Sequence, residues 1–117
     1  MSKAWPTDLA FDRGARALDI SFEDGKRFSI PFELLRVASP SAEVRGHRPS
    51  EAKLVAGKQN IGVARAEPVG RYAVRIVFDD GHDSGLFSWD LLYDLGANRD
   101  AKMRDYIDAL KSAGLSR

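Results

Sequence analysis

The chain has 117 residues, 44% of them apolar and 30% charged, with 18 basic and 17 acidic side chains, a formal charge of +1 and no cysteine. That length and balance fit one globular domain, 1–117, and exclude wholesale disorder or a fibrous fold. A near-zero charge offers no field for a phosphate backbone or an anionic lipid surface, and the missing thiols exclude disulfides, thiolate zinc, iron–sulfur ligation and a thiol nucleophile.

No apolar run approaches the roughly 18 residues of a membrane span, and the opening MSKAWPTDLAFDRGA lacks the apolar stretch of a secretory signal. The expectation is a cytoplasmic protein with no membrane and no nucleic acid among its partners. In chain order, Leu9 to Asp12 reads as a strand, turning through Arg13-Gly14-Ala15 to pair with the next. Leu18, Ile20 and Phe22 alternate with Asp19, Ser21 and Glu23, which puts the first three on one sheet face. Asp24-Gly25 then predicts a two-residue type I′ hairpin, because both central residues of that turn need positive φ. Pro31 stands at a helix entry, where a first-turn proline is tolerated, and FELLR follows.

Residues 39–60 carry two prolines, two glycines and few apolar anchors, and read as a long loop lying outside the domain. Arg45, His47, Arg48, Lys53 and Lys58 there face only Glu43 and Glu51, a local basic strip on a neutral protein. Ile61 to Val69 is the next strand. It turns through Gly70 into a run whose Tyr72, Val74, Ile76 and Phe78 alternate onto one face, and Asp80-Gly81 makes a second hairpin corner. Ser88 is placed to cap a helix through Leu95, stopped by Gly96. Residues 100–113 give the clearest helix, with Met103, Tyr106, Ile107 and Leu110 on one face, an Asp100–Arg104 pair, and Gly114 to end it.

Two segments are versions of one unit. ISFEDGKRFSIPFELLR at 20–36 and IVFDDGHDSGLFSWDLLY at 76–93 share an apolar strand, an Asp-Gly corner, a second strand and an aromatic–acid–Leu–Leu helix start. The fold class expected is α+β: a single domain of two hairpin-plus-helix units in a mostly antiparallel sheet, with a C-terminal helix packed on one face. Phe22, Phe28, Phe32, Phe78, Phe87 and Trp89 are expected to fill the core, Trp89 with one edge in water.

Chemistry-bearing patterns are few. Asp24 and Asp80 each sit beside a turn glycine and have a conformational reason to be there. His82-Asp83-Ser84 is no triad, because adjacent strand residues point to opposite sides. Neither GxGxxG nor the Walker pattern occurs. The basic strip therefore carries the partner-binding expectation, at Arg45, His47 and Arg48, for an anionic surface or ligand. A metal site at His82 and Asp83, joined by Asp80 and His47, is the alternative, suited to iron, zinc or manganese.

Trp5-Pro6-Thr7, FEDGKRFSIPFELLR, SPSAEVRGH at 39–47, Glu67 to Tyr72 and FDDGHDSGLFSWDLLYDLG together resemble the gamma-butyrobetaine hydroxylase-like N-terminal domain family, in its small bacterial branch of unknown function. The resemblance covers nearly the whole chain. In the larger hydroxylases, it implies, the domain is an accessory to an iron- and 2-oxoglutarate-dependent catalytic domain and holds zinc through three cysteines and one histidine. The histidine corresponds to His82, and the cysteines fall where this chain has Val37 to Ala42. A closed zinc site needs four ligands, so one histidine does not rebuild it. Similar domains also occur attached to P-loop ATPases of the iron–sulfur carrier type. The expectation is thus a non-enzymatic interaction module without a resident cofactor, accessory to iron–sulfur or metalloenzyme maturation, with such a carrier as protein partner. A metal-binding protein using His82 is the alternative.

Overall fold

Among the described residues, period-two alternation and short apolar runs build the strands, two Leu-Leu stretches build the first helices and an amphipathic stretch builds the last. The computed structural model describes residues 5–38, 56–81 and 83–117, with 83–85 described through their backbone alone. The elements are β1 (Pro6–Asp12), β2 (Ala17–Phe22), β3 (Arg27–Pro31), α1 (Phe32–Val37), β4 (Val63–Val69), β5 (Ala73–Phe78), β6 (Asp83–Ser88), α2 (Trp89–Ala97) and α3 (Arg99–Ser112). The α+β class holds, with the strands divided between two antiparallel three-stranded sheets, β1-β2-β3 and β4-β5-β6.

The internal repeat is longer than two hairpins with helices. It is a β-β-β-α unit present twice, and the copies agree in detail. Each first strand is irregular at the same place, between Pro6 and Asp8 against β2 and between Val63 and Arg65 against β5. The amide after each central strand donates back across the first: Glu23 N to Trp5 O at 2.8 Å and Asp79 N to Gly62 O at 2.8 Å. Each helix start is tied to the residue before its central strand, Phe32 N to Arg16 O at 2.8 Å and Trp89 N to Tyr72 O at 2.9 Å.

One core joins both units. Leu18, Ile20, Phe22 and Ile30 of the first pack with Val74, Ile76, Phe78 and Phe87 of the second, closed by Leu35, Leu92 and Leu95 from the helices. Burying a side chain of this size stabilises by about 1.5–3 kcal/mol, so the shared interior is the main reason the two units form one body. Phe28 and Trp89 are half-buried at its edge. Tyr72 departs from the expected alternation: β5 begins one residue later, and the Tyr72 ring is 65% exposed.

The local signals are partly as expected. Ser88 caps α2, its Oγ accepting from Leu91 N at 3.1 Å, and Pro31, at φ −58, is the residue from which α1 starts. α3 ends in a paired cap: Leu115 N donates to Leu110 O at 2.8 Å and Gly114 N to Lys111 O at 3.1 Å, with Gly114 at φ 74, the Schellman arrangement. Gly96 does not stop α2, which runs on to Ala97. Its purpose is proximity, since a Cβ at that position would lie 2.4 Å from Phe28 Cγ. Nor is the first Asp-Gly corner a two-residue turn. Only the glycine has positive φ, Gly25 N donates to Phe22 O at 3.0 Å, and Phe22 N to Lys26 O at 2.8 Å. That is a three-residue loop, in which a common turn is followed by a left-handed glycine and aspartate needs no unusual φ.

Candidate functional site

Polar groups from both units converge at the two seams where the units meet. In the first unit the corner residue Asp24 accepts from Lys26 N at 2.9 Å through Oδ1 and from Tyr93 Oη at 2.6 Å through Oδ2. Tyr93 belongs to α2, in the second unit, and its ring lies edge-on to Phe22 and Phe28 at 4.9 and 5.1 Å. The tyrosine hydroxyl, more than any other group, holds the Asp24 carboxyl below its ordinary range, and the same bond raises the Tyr93 phenol.

The second unit repeats the arrangement in reverse. Its corner residue Asp80 accepts at Oδ2 from Arg36 Nε at 3.1 Å, and Arg36 belongs to α1, in the first unit. Arg36 and Tyr93 occupy equivalent helix positions, as Phe32-Glu33-Leu34-Leu35-Arg36 matches Trp89-Asp90-Leu91-Leu92-Tyr93. Each unit's helix therefore grips the other unit's hairpin corner. Lys58 Nζ adds a second donor to Asp80 Oδ2 at 2.6 Å.

Beside this second seam Glu33 is almost wholly buried, at 4% exposure. A carboxylate that deep requires a partner. Arg117 supplies it with a two-pronged contact, Nη2 to Oε1 at 2.7 Å and Nε to Oε2 at 3.2 Å. Burial first, and the Glu33 charge second, raise the nearby Tyr106 phenol. A groove of about 450 Å³ runs along the same edge over Ile107, Leu110 and Leu115, with Lys111, Arg117 and Gln59 on its rim.

The other notable feature is apolar and lies at the first seam. The Trp5 and Tyr72 rings touch there, centroids 5.5 Å apart and planes tilted by 46°, at 39% and 65% exposure. Trp89 stands behind them with its indole N–H on Arg71 O at 2.6 Å.

Of the site residues expected from sequence, Arg45, His47, Arg48 and His82 lie outside the described residues, and Asp83 is placed only by its backbone pairing with Val77 at the start of β6. Lys58, from the same basic strip, is engaged by Asp80. Asp80 is thus a tether between units as well as a turn residue. Among the described residues no group of three or more His, Cys, Asp or Glu side chains is gathered to hold a metal ion. Sequence reasoning missed the Arg36–Asp80 and Tyr93–Asp24 tethers. The signal that could have found them is the repeat itself, which puts a strong donor at one helix position in both copies.

Comparison with known proteins agrees with this architecture. A family model described as gamma-butyrobetaine hydroxylase-like, N-terminal, matches residues 9–93. Two proteins with NMR solution structures are similar over 99% of this chain. One is 46% identical with a TM-score of 0.84, over 86% of its own chain; the other is 43% identical with a TM-score of 0.85, over 91%. A crystal structure of a protein of unknown function from Acidithiobacillus ferrooxidans, of the DUF971 family, is 33% identical with a TM-score of 0.65, over 77% of this chain and 90% of that one. No curated protein matches.

Proposed function

We propose, from the premise that the chain belongs to the gamma-butyrobetaine hydroxylase-like N-terminal family, that it is a non-catalytic interaction module serving iron–sulfur or metalloenzyme maturation, with a P-loop iron–sulfur carrier as its protein partner. The observation that carries the reading is how the side chains are used. The converging carboxylates are engaged within the fold, Asp24 by Tyr93, Asp80 by Arg36 and Lys58, Glu33 by Arg117. What is turned to solvent at a seam is a Trp–Tyr pair, the residue types that most often dominate protein contacts.

The choice of carrier rests on the family resemblance, in which similar domains are joined to such ATPases. Arg45, His47 and Arg48 are proposed to add electrostatic attraction to the same partner, which would raise the association rate more than the lifetime of the complex. The test is size-exclusion chromatography with light scattering of the full chain mixed with a purified P-loop iron–sulfur carrier. A stoichiometric complex is expected, weakened when Arg45 and Arg48 are both changed to Ala. No complex with the carrier, together with no stoichiometric partner captured from native cytosol, would refute the proposal.

A further inference from the structure

The repeat provides an internal comparison of its two seams. Tyr72 and Arg16 are equivalent, since each carbonyl accepts the first amide of its own unit's helix, and Trp5 and Gly62 are equivalent, since each accepts the amide after the central strand. At the seam with Arg16 and Gly62, the equivalent positions are polar or small and are tied to the chain's own segment: Arg16, itself exposed, donates from Nη1 to Asn60 O at 3.2 Å, and Lys58 reaches Asp80. The same positions at the other seam hold two large aromatic rings in water.

The exposed rings also bring donors. The Trp5 indole N–H and the Tyr72 hydroxyl have no hydrogen-bond partner among the described residues, whereas the Trp89 indole is spent on Arg71 O. The charges around the ridge are mixed. Exposed residues of both signs lie near its members in sequence or backbone pairing, Glu23 and Asp90 with Lys26 and Arg71, and Asp24 is held by Tyr93. Neither sign predominates, so a charged segment gains no net attraction there and an uncharged one forgoes none.

An uncharged segment whose backbone offers acceptors and no donors, and whose rings pack on aromatic faces, is a run of prolines. Proline has no N–H, fixes its own φ and holds a polyproline II conformation with its carbonyls in water, so little entropy is lost on docking. Aromatic-lined surfaces dock such segments, and the Trp5 N–H and Tyr72 O–H are donors for their carbonyls. Building on the interaction-module reading, we propose that the Trp5–Tyr72 ridge docks an uncharged, proline-rich segment of the partner protein in an extended conformation.

The test uses the full chain labelled with nitrogen-15. Acetyl-hexaproline-amide is titrated against it, with a glycine–serine peptide of the same length and a hexalysine peptide as comparisons. Hexaproline is expected to give saturable shifts at the Trp5 indole N–H and at the amides of residues 23–25, 71 and 72. A contact this small corresponds to a dissociation constant of about 0.1–1 mM. Tyr72→Ala, at an exposed position, should weaken it by about tenfold, and Tyr72→Phe, which keeps the ring and loses the hydroxyl, by about threefold.

Equal shifts with the glycine–serine peptide, a preference for hexalysine, shifts centred away from the ridge, or concentration-dependent shifts of the same signals without peptide, which would mean a second copy of the chain, each overturn the inference. A carrier complex that survives while hexaproline leaves the ridge unshifted sinks this inference alone. Hexaproline binding without any carrier complex sinks the proposed partner and leaves the ridge.

Discussion

Gly96→Ala tests the packing of the second unit's helix on the first unit's edge strand, because two effects of opposite sign compete there. Alanine in a helix interior is favoured over glycine by about 1 kcal/mol. Against that, the added Cβ would lie 2.4 Å from Phe28 Cγ, 2.5 Å from its Cβ and 2.7 Å from its Cδ2, where carbon atoms prefer roughly 3.5–4.0 Å. Rotating the ring does not clear Phe28 Cβ, which is bonded to the backbone, so α2 has to lift off β3. Overpacking of that kind costs about 1–3 kcal/mol or more. The clash wins. Gly96→Ala is expected to destabilise by about 1–2 kcal/mol, lowering Tm by roughly 4–8 °C in a domain of this size. Urea unfolding with an unchanged slope measures it. Phe28→Gly removes all three clashing atoms at a cost of about 3 kcal/mol, within the usual stability of a domain. In that background Gly96→Ala should become neutral or stabilising. A rise in stability from Gly96→Ala alone, or the same loss in both backgrounds, would refute the packing argument.

The Asp24–Tyr93 tether has a pH signature: a depressed carboxyl contributes stability above its ordinary 3.8 that is lost as pH falls through the folded value, and a raised phenol contributes below 10.0 what is lost as pH rises through its folded value. Carbon-detected NMR should find Asp24 titrating below 3.8 and moving up toward it in Tyr93→Phe; no movement means the hydroxyl is not the cause. Asp80→Asn keeps the turn preference but strips Arg36 and Lys58 of a charged acceptor, and chemical denaturation should show a loss of about 2 kcal/mol; a change under about 0.5 kcal/mol would make the tether an ordinary surface pair. Arg117→Ala leaves the buried Glu33 carboxylate without its partner, for a loss of about 2–3 kcal/mol that Glu33→Gln in the same chain should reduce. Metal analysis after anaerobic loading with iron, zinc or manganese, on protein without a histidine tag, should stay far below one ion per chain; a stoichiometric ion lost in His82→Ala would move the function to His82 and Asp83.

What could be read from sequence follows the range of the interactions. Leu18, Ile20 and Phe22 alternate with polar neighbours, and all three are buried, because a strand's two faces are decided by residues two apart. Ser88 caps its helix through a bond to a residue three positions on. Tyr72 continues the alternation of Val74, Ile76 and Phe78 on paper, but its carbonyl is claimed by Trp89 N, and period alone does not reveal where pairing begins. Gly96 after Leu95 fits a helix stop; its closeness to Phe28, far back in the chain, shows only once β3 and α2 are packed. Asp24 and Asp80 were legible as turn formers. Their partners, 69 and 44 residues away, were not, since local spacing says nothing of a contact between the two units. The basic strip was legible only as composition, and Lys58, its described member, is engaged within the fold.

The divergence of the seams is what links this architecture to recognition. Both keep a tether from helix to opposite corner, so stability alone does not explain why they differ. One has glycine and arginine at the equivalent positions and ties the arginine to the chain's own segment at Asn60, with Lys58 reaching Asp80. The other retains tryptophan and tyrosine and leaves them in water, forgoing about 25 cal/mol for each Å² of ring surface that burial would remove from solvent. If the second solution served the fold only, replacing Tyr72 by a polar residue should destabilise the domain and weaken capture of the partner only to that extent. A ridge that contributes to binding predicts instead that Tyr72→Ser leaves urea unfolding within about 0.5 kcal/mol of wild type while weakening capture of the partner. Equal loss of both would return the pair to the core.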